Sequence, residues 1–114
     1  MIEVTICYTR KLYKSGREVF IYKDVIIKGH SSDGTISSIK CCAGVTDITC
    51  GLINLLKDDL DCNVEINKGY FHYHLVNYTA ELNYAINALI YQLDSISTIY
   101  PSFFKDFIWN EEKV

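Results

Sequence analysis

The sequence predicts an α+β fold: a ββαββα two-layer sandwich, with a mainly antiparallel sheet and two helices packed on one face. Three observations predict it. Apolar residues alternate with polar ones in runs that pair across short turn signals, as hairpin strands do. Two longer stretches repeat apolar residues at steps of three and four, the mark of amphipathic helices. The 114 residues, 49% hydrophobic with nine tyrosines and five phenylalanines, can build one core without disulfides or metals. Residues 1–114 are therefore read as a single domain.

Each element has its own signature. Ile2, Val4, Ile6 and Tyr8 alternate with Glu3 and Thr5, which predicts a half-buried strand. Lys14-Ser15-Gly16-Arg17 reads as a turn, and a longer strand follows from Glu18 to about Gly29, rich in Val, Ile, Phe and Tyr. Ser31 to Ile39 is rich in Ser, Gly and Asp and reads as a mobile loop. From Cys42, the apolar positions Val45, Ile48, Leu52, Leu55 and Leu56 predict a helix ending near Asp58-Asp59. Cys62, Val64 and Ile66 alternate with polar neighbours, Asn67-Lys68-Gly69 turns the chain, and Tyr70 to Val76 forms the next strand. Thr79 is placed to cap a second helix, with Glu81 in its first turn and a stripe of Leu82, Ile86, Leu89, Leu93 and Ile96. Pro101 marks its end. Phe103, Phe104, Phe107, Ile108 and Trp109 make an aromatic tail that must pack on the domain or on a second subunit.

Charge and cysteine usage narrow the function. The net charge of −3 argues against non-specific nucleic-acid binding. Residues 1–28 nevertheless carry six basic side chains against three acids, read here as a solvated face. The N-terminus has no basic region followed by an apolar core, so no signal peptide is expected, and no apolar run reads as long enough to span a bilayer. Five cysteines, an odd number, form no disulfide framework, so a reducing cytoplasm is the expected setting.

Chemistry concentrates between Gly29 and Thr46. Gly29-His30 closes a strand, and Cys42 opens C-A-G-V-T at the expected start of a helix. A helix N-terminus and a nearby imidazolium both lower a thiol pKa from its reference near 8.5, so Cys42 and His30 are placed as nucleophile and base. The backbone N–H groups of Cys42 and Ala43 could hold an oxyanion, and Ala43 and Gly44 leave room for a peptide. Thr46, one turn on, could support the site by a hydrogen bond. Ser31, Ser32, Asp33 and Gly34 read as a substrate-gating loop or as an ordinary solvated one. Asp33 is not expected to orient His30. Cys41 faces another way and reads as structural, and Cys7, Cys50 and Cys62 as fillers. His72 and His74 point to one face of their strand. They could be half a metal site, but the sequence places no third or fourth ligand, so they read as surface residues. No metal or cofactor is expected.

Gly-His, twelve residues to a cysteine, then C-A-G-V-T resembles the ribosomal-processing cysteine proteases of the Prp type, whose motif is Gly-His, a variable loop, then Cys-Ala-(Ala/Gly)-x-Ser. The likeness covers most of the chain, and Lys68-Gly69-Tyr70-Phe71 resembles the start of the family's later strand. It implies a small homodimeric endopeptidase that removes a short N-terminal extension from the large-subunit ribosomal protein L-twenty-seven. Cys42 would be its nucleophile, His30 its base, and Thr46 would stand for the family's serine. The substrate peptide is the implied partner, and nucleic acid enters only through ribosome association. The family's acidic residue three before the nucleophile is Ile39 here, and the first hairpin is longer than usual. The alternative is a weakened or inactive family member that binds peptide or RNA at the ribosome.

Overall fold

The computed structural model describes residues 1–30 and 33–113. In chain order come β1 (Glu3–Leu12), β2 (Glu18–Lys28), α1 (Ile36–Leu56), β3 (Cys62–Asn67), β4 (Tyr70–Leu75), α2 (Ala80–Ile99), a 3-10 turn (Pro101–Phe103) and β5 (Ile108–Glu111). The expected ββαββα order holds, with one added strand. The sheet order is β3-β4-β2-β1-β5. All neighbours are antiparallel except β5, which runs parallel to β1 with Thr5 opposite Ile108.

Side-chain alternation divides the sheet into two faces. Val4, Ile6 and Tyr8 of β1 point to the core, as do Phe71, Tyr73 and Leu75 of β4. A bulge between Cys7 and Tyr8 shifts the β1–β2 register, so that Tyr22 and Val25, three residues apart, both face inward. Asp24, between them, is left among the partly exposed residues.

α2 starts where the sequence placed it: the Thr79 hydroxyl accepts a hydrogen bond from Leu82 N–H at 3.1 Å. Leu82, Ile86, Leu89 and Leu93 are buried, and Ile96 packs against that core. α1 ends at Leu56, capped by Lys57, close to the expected Asp58-Asp59, but its start differs from expectation. It begins at Ile36, because Thr35 caps it by accepting from Ser38 N–H at 3.1 Å. The expected loop over Ser31–Ile39 is thus helical from Ile36 onward. Its buried stripe is Ser38, Cys41, Thr49, Leu52 and Leu56, with Val45 and Ile48 at its edge, while Leu55 is 71% exposed. Contrary to the sequence reading, α1 is long and apolar enough, by length and composition, to cross a membrane. Here its apolar stripe packs into the core of the sandwich.

The aromatic tail packs on the domain itself. Ile2 N–H donates to the Phe103 carbonyl at 2.8 Å, and Lys105 N–H to the Ile2 carbonyl at 2.9 Å. Phe104 is buried in the core, and the Trp109 and Tyr8 rings make a T-shaped contact with centroids 6.0 Å apart.

Candidate active site

Two glycines shape the site. Gly29 follows β2 with φ +98°, and a β-carbon there would fall 2.1 Å from the Met1 carbonyl oxygen. Only glycine fits such a position, which explains its place before His30. Gly29 N–H donates to the Gly69 carbonyl at 3.0 Å, tying the end of β2 to the β3–β4 turn. Gly69 has φ +69°, and a β-carbon on it would lie 2.3 Å from His30 Nε2. The imidazole therefore rests against the bare backbone of that turn.

His30 and Cys42 line one open cavity of about 250 Å³. The wall is shared between the end of β2, the exposed flank of α1 and the β3–β4 turn. Thr46 lines it one turn beyond Cys42, as expected. Cys42 is partly buried and His30 exposed, so a solute can reach both. Cys41, next in sequence, is fully buried in the core. A helix turns by about 100° per residue, which separates the two thiols as expected.

The backbone around the cysteine departs from the sequence expectation. Cys42 sits in the second turn of α1, not at its N-terminus. Inside a helix, backbone N–H groups are committed to carbonyls four residues back. The N–H groups of Cys42 and Ala43 are therefore not open donors, and the macrodipole is weak beyond the first turn. Ala43 is exposed and is not part of the cavity wall. The cause is the strong cap upstream. Asp33 Oδ1 accepts from Thr35 N–H at 2.9 Å and from its hydroxyl at 2.6 Å, which fixes Thr35 as the cap. These bonds from Thr35 hold the Asp33 carboxyl below the usual carboxylate range. Asp33 thus serves the helix cap. Gly34 follows at φ +77°, and Ser31 and Ser32 lie outside the described residues. Ile39 is 63% exposed, and neither it nor Lys40 lines the cavity.

Two lining residues were not singled out for chemistry by the sequence. Asn67 and Lys68 come to the cavity from the β3–β4 turn. Their signal was a polar turn, Asn67-Lys68-Gly69, and for Lys68 its place in the Lys68-Gly69-Tyr70-Phe71 likeness; it is the Gly29–Gly69 hydrogen bond that brings this turn beside His30. Lys68 is the cationic side chain among the cavity's described lining residues. A thiol, an imidazole and an ammonium around one opening are the components of nucleophilic acyl transfer.

No protein-family model matches the chain, and no curated protein matches it in sequence. Solved structures do match its fold. An essential ribosomal processing protease Prp from S. aureus, in complex with a covalently linked product peptide, superposes with a TM-score of 0.68 at 23% identity, covering 98% of this chain and all of that one. The same protease with a substrate peptide gives a TM-score of 0.70 at 20% identity, again over 98% of this chain and 100% of that one. A Streptococcus mutans protein matches with a TM-score of 0.70 at 19% identity, over 98% of this chain and 96% of its own. Over 98% of its length, this chain has the fold of the ribosomal processing protease Prp.

Proposed function

We propose that the chain is a cysteine endopeptidase of ribosome maturation, which trims a short N-terminal extension from a large-subunit ribosomal protein of the L-twenty-seven type. The observation that carries this reading is the meeting of His30 and Cys42 in one accessible cavity. The fold supports it, since a protease sharing that fold has been seen with both substrate and product peptides.

In this mechanism, His30 takes the proton of the Cys42 thiol, and the thiolate attacks the scissile carbonyl. The tetrahedral intermediate collapses to an acyl-enzyme as imidazolium protonates the leaving amine. That amine is the new N-terminus of the shortened protein; His30 then activates water, which cleaves the thioester, releases the extension peptide and restores the thiol. Lys68, rather than the helix backbone, supplies positive charge to the oxyanion, because the N–H groups at Cys42 are internal to α1. Thr46 supports the thiol from the next turn. The enzyme works in the cytoplasm as a homodimer.

The test is cleavage of the N-terminal peptide of the same organism's ribosomal protein, followed by mass spectrometry. We predict cleavage at one bond by the native chain and by Cys41→Ala at low rate or better, and none by Cys42→Ala. Uncleaved peptide with the native chain would overturn the reading.

A second reading is a peptide-binding module with weakened catalysis. The position of Cys42 inside α1, with Ile39 where the family carries an acid, favours it. Alkylation separates the two: a poised thiol at Cys42 reacts quickly near neutral pH, and an ordinary one slowly.

A further inference from the structure

The sheet carries a second constellation that the peptidase chemistry does not use. His72 and His74 lie two residues apart on β4, so they share a face. β2 runs beside them in antiparallel register, with Asp24 opposite His74. One carboxylate oxygen, Asp24 Oδ1, lies 2.8 Å from His72 Nε2 and 2.9 Å from His74 Nδ1. The three ligand atoms lie within 4.8 Å of one another. The sequence left the histidines without a third partner; the strand register provides it.

We propose that Asp24, His72 and His74 bind a divalent transition-metal ion of the zinc class, with water in the fourth position. Two imidazoles and one carboxylate on rigid neighbouring strands make a common zinc donor set. Tetrahedral zinc with bonds of about 2.0–2.1 Å sets its ligand atoms about 3.4 Å apart, within reach of small side-chain rotations here. Calcium and magnesium prefer all-oxygen shells, which two imidazoles do not offer. The hydrogen bonds now joining both rings to Asp24 pre-orient all three side chains toward one point. Cys7, opposite Asp24 on β1, and Glu112 form a neighbouring group that shares the same carboxylate. A bound ion would clamp β2 to β4.

The test uses the full chain, stripped with a chelator and kept reduced. Zinc chloride is titrated calorimetrically and its effect on the melting temperature recorded, and cobalt(II) provides a spectrum. We expect one ion per chain at micromolar affinity and a melting temperature raised by several degrees. His74→Gln, at a half-exposed position, should fold normally and weaken binding by about tenfold or more. His72→Gln with His74→Gln should abolish the thermal shift, and Cys42→Ser should keep it. The cobalt spectrum should show ligand-field bands without thiolate charge transfer. Binding no tighter than millimolar, binding unchanged in His74→Gln, or loss of binding in Cys42→Ser with a thiolate band would each overturn the proposal.

Discussion

A β-carbon at position 69 would collide with the His30 ring, so this glycine is where a single atom most directly tests the site. Gly69→Ala must either push the imidazole away or shift the turn, and its φ of +69° adds strain of about 1–2 kcal/mol. We predict a fall in peptidase turnover of about a hundredfold, the usual scale for misplacing a catalytic group by an ångström. The chain should still fold, as circular dichroism will show; unaltered turnover would mean that His30 does not need this seat. Tyr73 offers the opposite kind of test. Its hydroxyl is buried with no hydrogen-bond partner among the described residues, and burial pushes its pKa well up. Tyr73→Phe removes the unsatisfied group and keeps the ring, so it should stabilise the fold by about 1 kcal/mol in urea unfolding. The sequence displayed Gly29-His30 and Lys68-Gly69 as turn punctuation, but not that the two turns touch. Residues about forty apart meet through strand register, which local pattern does not encode.

At the scale of elements, α1 shows what periodicity can and cannot reveal. Its C-terminal half was legible because Leu52 and Leu56 keep helical spacing. Its first turn and a half was not, since Asp33-Gly34-Thr35 reads equally as a loop and as a capping signal. The inner face there is made of Ser38 and Cys41, too polar and too small to register as a stripe, while the exposed Ile36 and Ile39 point the other way. β5 was legible only as an aromatic tail, because its pairing with β1 is a tertiary choice. The cap carries a prediction. Thr35→Ala removes the acceptor for Ser38 N–H and should cost about 1 kcal/mol of stability. Fraying of the first turn brings Cys42 nearer to unpaired N–H groups, which favour thiolate. Alkylation of Cys42 near neutral pH should therefore speed up in Thr35→Ala and stay at the native rate in Thr35→Ser. Equal rates in all three would show that the start of α1 does not govern this thiol.

The whole molecule is two hairpins joined along one seam. β1–β2 and β3–β4 are each closed by a local turn, and they meet where β2 pairs with β4, from Asp24 opposite His74 to Lys28 opposite Tyr70, and at the Gly29–Gly69 hydrogen bond just beyond. Asp24 stands at one end of that seam. Burial alone would raise its pKa, but the hydrogen bonds from His72 and His74 outweigh burial and hold the carboxyl below its ordinary value. Cys7 from β1 and Glu112 from the C-terminal segment face the same carboxylate. The direction of the pH effect follows. A group whose pKa is lower folded than unfolded stabilises the fold fully above its unfolded value, about 3.9 for aspartate, and loses that contribution as pH falls through the folded value. We predict that the metal-free chain loses stability in this acid range as the seam between the hairpins loosens. Asp24→Asn should start less stable at neutral pH and show a flatter acid limb, read from urea midpoints between pH 6 and about pH 3. Hydrogen exchange should locate the loosening at the β2–β4 amides, with the β1–β2 ladder still protected. Parallel acid limbs for the native chain and Asp24→Asn would place the acid sensitivity elsewhere, and the seam would then owe its strength to Val25, Ile27, Phe71 and Tyr73, which pack beneath it.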